Sequence, residues 1–209
     1  MNLKLKKISQ NKLLIPFLLI IFSIPAIYSL LRKGFYEPHD LHHLADIYQM
    51  ARALSSGQIP PRLGPDFIFN YGYPLFNFYY VLPFYIGALF FFLLGSLTLS
   101  YKLVFILSVF VSLFGMYLFL KEFFGRFPSL VGTVLYLYTP YRALQIYVRG
   151  AMGEALALAL FPFVGYILVE IIRSGKKWAK VFLGVIICSL FLLSHNYMWA
   201  LTIPWLILL

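Results

Sequence analysis

The sequence predicts an all-α fold, a polytopic transmembrane helix bundle, and three observations carry the membrane class. Of 209 residues, 62% are hydrophobic and 11% charged, a balance foreign to ordinary soluble domains. Apolar runs of about twenty residues recur along the chain, enough to cross a hydrocarbon core of about 30 Å. The Lys and Arg residues behind the formal net charge of +10 cluster in short joints between those runs. That distribution follows the positive-inside rule and needs no nucleic acid partner. The single cysteine, Cys188, lies within an apolar run, which excludes an intrachain disulfide and a cysteine-built metal centre.

The length suits one module over residues 1–209. The opening MNLKLKKISQNK precedes an apolar stretch at 13–31, read as an uncleaved first span with a cytoplasmic N-terminus. Residues 36–97 form a long extracytoplasmic loop, with a helix at 38–54 and a hydrophobic segment at 75–97. The remaining spans occupy 99–209, and the chain stops inside an apolar run, as expected of a module truncated at its C-terminus. The basic joints KEFFGR and RSGKKWAK decide the topology. If every run crosses, both joints face outward. If 75–97 enters from outside and stays there, re-entrant or interfacial, both joints share the cytoplasm with the N-terminal lysines Lys4, Lys6, Lys7 and Lys12. The second arrangement obeys the positive-inside rule. Pro74, Asn77, Pro83 and Gly87 within or beside the segment suit it, although its length would suffice to cross. Three polar sites then share the outer face: the first loop, YRALQIYVRGAMGE, and Ser194–His195–Asn196.

The first loop, from Tyr36 to Tyr80, concentrates the polar chemistry. It holds three of the four histidines, four of the seven acidic residues and five of the twelve prolines. Pro38 suits a helix start, and Gly57 with Pro60–Pro61 ends it. Leu44, Ile47, Tyr48, Ala51 and Leu54 would form one face, laid on the membrane surface. Helical spacing places Asp40, His43 and Asp46 on adjacent faces, with His39 four residues from His43. Such a cluster holds a divalent cation or a general base, or is a solvated set of headgroup-level histidines. Spacing alone leaves these open, and the absence of HExxH excludes a zincin-type protease. Gly72 between Tyr71 and Tyr73 makes either a sugar or lipid platform or an interfacial aromatic belt. Arg142 and Arg149 could grip a phosphate, or pair with headgroups or one another. Glu154 opens a long apolar helix, where the dipole favours an acid, yet an ionisable group at membrane depth points to function. His195 is an interfacial histidine unless the other loops come to it.

Four stretches carry a resemblance: HDLHH, GQIPPRLGPDF, NYGYPLFNFYYVLPFYIG and TPYRALQIYVRGAMGEALA. In that order, over about half the chain, they resemble a bacterial membrane family labelled "6-pyruvoyl-tetrahydropterin synthase-related". The arrangement is also similar to the N-terminal module of GT-C-type membrane glycosyltransferases. The soluble pterin synthases look nothing like this chain, so the label does not describe its activity. The resemblance implies transfer of a sugar from a polyprenyl-phosphate-linked donor on the outer face of the cell membrane, in service of the cell envelope. It implies Asp40 and Glu154 as the catalytic acids, and as ligands of a divalent cation (Mg or Mn) where one is used. Arg142, Arg149, His43, His195, Tyr73 and Asn77 become substrate-binding candidates, and the partners are the lipid-linked donor and membrane lipids. No DD or DxD pair occurs. The rival readings are a transporter or lipid-handling protein, or a non-catalytic subunit of an envelope polysaccharide assembly system.

Overall fold

A computed structural model describes residues 14–174 and 177–207, and among them the chain is all-helical, with no strand. Three helices are long and apolar enough to cross a membrane. They are α1 (Leu14–Leu31), α5 (Leu97–Lys121) and α8 (Met152–Ser174, of which Met152–Arg173 qualifies). The shorter helices are α2 (His42–Ser55), α3 (Leu75–Phe78), α4 (Leu82–Leu94), α6 (Arg126–Leu137), α7 (Pro140–Ala143), α9 (Trp178–Ser194) and α10 (Asn196–Ile207).

α5 is the central post, and α8 runs parallel to it. Small residues on each helix receive large ones from the other. Ring atoms of Phe163 stand 2.6 Å from where a Cβ on Gly115 would be, and Phe119 fills the same role at Gly165. Small residues permit this close approach where lipid offers no hydrophobic drive. Parallel neighbours need a crossover, which α6, α7 and a π-helical turn at Leu144–Arg149 supply. α9 returns antiparallel to α8, with Gly184 seated on Ile167 and Ile171. α1 lies antiparallel to α5 and buries Leu19, Ser23, Ile27 and Leu30, one stripe at helical spacing. Its end is capped from α5: the buried Lys102 ammonium donates to the carbonyls of Arg32 (2.7 Å) and Gly34. A lysine there complements the C-terminal dipole and satisfies carbonyls of the turn that follows the helix.

α4 begins and ends at the same end of the bundle. At its start, the Val81 N–H donates to the Leu193 carbonyl near the end of α9 (3.2 Å). At its finish, Gly95 (φ 66°) and the Ser96 N-cap turn the chain directly into α5. The first turns of α5 stand level with the start of α8, where the Tyr101 hydroxyl reaches the Gly150 carbonyl (3.4 Å). The hydrophobic segment expected at 75–97 is therefore not one long helix. Extended backbone at Tyr79 separates α3 from α4, leaving α4 with 13 residues, or about 20 Å.

The first-loop helix also departs from expectation. It begins at His42 rather than Pro38, because the chain ahead of it is held elsewhere. The His39 and Asp40 N–H groups donate to the Val148 and Arg149 carbonyls (3.0 and 2.8 Å) at the end of the π turn. Nor does its apolar stripe lie free on a surface. α2 packs against α4 and α5, burying His43, Asp46, Ile47, Gln49, Met50, Ala51 and Ala53, while Tyr48 is exposed. The rest of the loop is tied back to α2 by Asp66. Its N–H donates to Gln49 Oε1 (2.9 Å), and its carboxylate receives Gln49 Nε2 (3.2 Å) and Arg52 Nε (3.4 Å).

Both ends of the bundle carry basic residues, with Arg32, Lys33, Arg52, Arg62, Lys102, Arg142 and Arg149 toward the first-loop end. Lys121, Arg126, Arg173, Lys177 and Lys180 stand at the end away from the first loop, where Arg173 pairs with Glu122 (2.7 Å) and Lys180 with Glu170. Lys4, Lys6, Lys7, Lys12 and Lys176, and the last residues of the expected final span, lie outside the described residues.

Candidate functional site

Three polar segments distant in sequence meet at the first-loop end of the bundle, and two glycines permit it. Gly150 closes the π turn with φ 70°, a left-handed conformation that a side chain disfavours, and Pro38 stands 2.7 Å from where its Cβ would be. At Gly153 a Cβ would stand 2.5 Å from the Tyr80 ring and 2.8 Å from the Ser194 carbonyl. The first loop, the start of α8 and the end of α9 thus converge on backbone without side chains.

Glu154 sits in the first turn of α8, where the helix dipole favours a carboxylate. The π turn places Gln145 and Arg149 so that both reach it. Glu154 accepts from the Tyr141 hydroxyl (2.6 Å), the Gln145 amide and Arg149 Nη1 (2.9 Å to Oε1, 3.0 Å to Oε2). The same Arg149 nitrogen donates to Gln145 Oε1 (3.0 Å), which fixes the amide's orientation. Burial works against the Arg149 charge, but the charge and hydrogen bond of Glu154, with the field of Asp40, outweigh it and raise the guanidinium pKa. Arg149 is therefore the electrostatic link between Asp40 and Glu154. Asp40 itself pairs with His39 Nδ1 (2.8 Å), instead of facing His43 from within the helix.

His195 completes this cluster. Its Nδ1 accepts the Met198 N–H (3.3 Å), so the neutral ring carries its proton on Nε2, which faces Glu154 Oε1 at 3.9 Å. Burial lowers its pKa, Glu154 opposes that and Arg149 adds to it, leaving it below the usual imidazole range. The Tyr80 ring lies 5.0 Å from that of His195, and the Tyr80 hydroxyl lies 3.4 Å from His43 Nε2. A chain of side chains thus joins Glu154 to the first-loop helix. There His43 is enclosed by Tyr79, Tyr80 and Phe84, and burial raises the pKa of both tyrosines.

Other candidates fall outside this chain. Tyr73 and Asn77 are exposed, and Tyr73 bonds through its backbone to Gly64 (2.8 and 3.1 Å). Arg142 is 3% exposed, with its guanidinium over the Tyr136 ring at 5.4 Å. Its Nε, Nη1 and Nη2 have no hydrogen-bond partner among the described residues. Burial lowers its pKa while Tyr136 counteracts. Sequence reasoning passed over Tyr141 and Gln145, which hold Glu154, and Tyr80, which joins the loops. The i, i+4 spacing of Gln145 and Arg149 was a usable signal, whereas nothing in the sequence distinguishes Tyr80 among so many aromatics.

The comparison with known families matches residues 76–209, more than half of the chain, to the "6-pyruvoyl-tetrahydropterin synthase related domain; membrane protein". Glu154, Arg142, Arg149, His195 and Asn77 lie inside the match, whereas Asp40, His43 and Tyr73 precede it. No curated protein and no solved structure matches the chain.

Proposed function

The chain belongs to the 6-pyruvoyl-tetrahydropterin synthase related family of membrane proteins, and within it we propose a glycosyltransferase module of the GT-C type. It moves a sugar from a polyprenyl-phosphate donor to an acceptor hydroxyl at the outer face of the membrane. The observation that carries this reading is the convergence of Asp40, Arg149, Glu154 and His195 at one end of an apolar bundle. An acid, a cation within its field and a second acid are the groups such a displacement needs.

In this mechanism Asp40 takes the acceptor hydroxyl proton as the oxygen attacks the anomeric carbon. The new glycosidic C–O bond forms as the C–O bond to phosphate breaks, and the phosphate oxygen leaves with the bonding pair. Arg149, whose side chain is 40% exposed, meets that developing negative charge. Arg142 is too buried to be reached in the same way and serves the packing of α6. Glu154 holds Arg149 in place, and neutral His195 offers its Nε2 proton beside it.

The same geometry supports the proposed topology. α4 starts and ends at one end of the bundle, and about 20 Å of helix falls short of a core of about 30 Å. This supports a segment that stays at the outer interface under the cover of α2 and α5. The far end, with the KEFFGR and RSGKKWAK joints, then faces the cytoplasm.

The test uses membranes carrying the natural protein and a panel of polyprenyl-phosphate sugars, with release of polyprenyl phosphate as the readout. Asp40→Asn and Glu154→Gln should each lower turnover by about 100-fold or more. Wild-type turnover in both variants would overturn the mechanism.

A further inference from the structure

We propose that His42, His43 and Asp46 form a binding site for a first-row transition-metal ion, zinc foremost. This set is distinct from Asp40 and Glu154, and the inference does not depend on the sugar-transfer reading.

The three residues lie in the first turns of α2, and their ligand atoms all fall within 4.8 Å of one another. His43 Nδ1 is 3.3 Å from Asp46 Oδ2, and His42 Nε2 is 3.8 Å from the same oxygen. His43 and Asp46 meet in a long hydrogen bond, and His42 stands beyond hydrogen-bond reach of the same oxygen. Ligand atoms about 2.0–2.1 Å from a tetrahedral zinc ion stand about 3.3 Å apart, so the His43–Asp46 pair has that spacing already and the exposed His42, 3.8 Å away, must move in to join it.

The surroundings are those of a prepared site. His43 and Asp46 are buried, and the His43 ring is clamped by Tyr79, Tyr80 and Phe84. The Tyr80 hydroxyl at His43 Nε2 is the outer-shell partner that orients a ligating imidazole and leaves Nδ1 for the metal. Asp46 is a buried carboxylate whose ion-pair partners in the structure are these two histidines, neither of which carries a fixed charge. A divalent ion supplies the missing positive charge. His42, by contrast, has a 53% exposed side chain. The site therefore has a closed floor and one open side, where a fourth position can take water or a phosphate oxygen.

Two imidazoles and one carboxylate suit zinc and its transition-metal neighbours better than calcium or magnesium. The sequence already held the pattern, as His42 and Asp46 are four apart and His43 and Asp46 three apart. A helix start placed at Pro38 drew Asp40 into the cluster and obscured it.

The experiment uses the purified chain in detergent, stripped with a chelator and titrated with Zn²⁺ alone by calorimetry, and with Co²⁺ as a spectroscopic probe. One ion per chain is expected, with visible Co²⁺ bands of a four- or five-coordinate site. His42→Ala, at the exposed position, should weaken Zn²⁺ binding by about 100-fold with an unchanged unfolding temperature of the apo protein. Asp46→Asn should do the same to affinity, and Asp40→Asn and Glu154→Gln should leave it within a few-fold. Binding well below one equivalent, or wild-type affinity in His42→Ala, would overturn the site. Loss of binding in Asp40→Asn or Glu154→Gln with none in His42→Ala would move the cation to the other acids and equally overturn it. Because no donor is present, failure here is separate from failure of the transfer mechanism.

Discussion

Replacing Glu154 by Gln tests the core of the polar cluster, and the structure fixes what the change must cost. The carboxylate accepts from Tyr141 at 2.6 Å, from the Gln145 amide and from Arg149 at 2.9 and 3.0 Å. Gln keeps the shape but has one acceptor oxygen, and its amide N–H₂ would face donors. A hydrogen bond to a buried charged group is worth about 1.5–3 kcal/mol, which applies to the bonds from Tyr141 and Gln145. The Arg149 pair is discounted to about 1 kcal/mol, because its guanidinium is substantially exposed to solvent screening. With partial compensation by the amide, Glu154→Gln should destabilise by about 2–4 kcal/mol and Arg149→Met by about 1 kcal/mol. The double variant should be less destabilised than the sum by about 1 kcal/mol, the coupling expected of neighbours in one network. Unfolding of the four proteins in detergent micelles reads this directly. Additivity within about 0.3 kcal/mol would show that Arg149 and Glu154 do not interact, and the electrostatic link from Glu154 to Asp40 would fall with it.

Gly87 is where α4 admits α2, since a Cβ there would stand 2.6 Å from Ile47 Cγ1 and 3.3 Å from Cγ2. Ile47 is stiff at χ1 and buried, so Gly87→Val should destabilise by about 1–3 kcal/mol. Ile47→Ala in the same chain should recover part of that loss, and no recovery in micelle unfolding would contradict the seating. Membrane sidedness is tested on Cys188→Ala protein with single cysteines at Phe69 (95% exposed) or Trp178 (82% exposed), at opposite ends of the bundle. An impermeant maleimide added to intact cells should label Phe69→Cys, and should reach Trp178→Cys only after permeabilisation. Labelling of both from one side, or the reverse order, would refute the proposed orientation. Met152, although beside Glu154, is fully buried and would report packing instead.

Composition and basic clustering were enough to read an all-helical chain with membrane-length apolar helices, because membrane insertion is written in one-dimensional averages. The three polar segments could likewise be picked out as islands in apolar sequence. Their convergence could not, since it depends on Gly150 and Gly153 letting Pro38, Tyr80 and the Ser194 carbonyl approach. The start of α2 shows the same limit. Pro38 is a sound local signal for a helix, but backbone bonds from His39 and Asp40 to the π turn hold this segment out of one, and those bonds form only once the α6–α8 crossover is in place. By itself the sequence determined the class, the apolar periodicity and the residues with chemistry to offer. The tertiary structure decided which of them meet: Glu154 with Arg149 and His195, and His43 with Asp46 and Tyr80. Side-chain partners are set by how helices pack, and close packing at glycines leaves almost no trace in a hydropathy pattern.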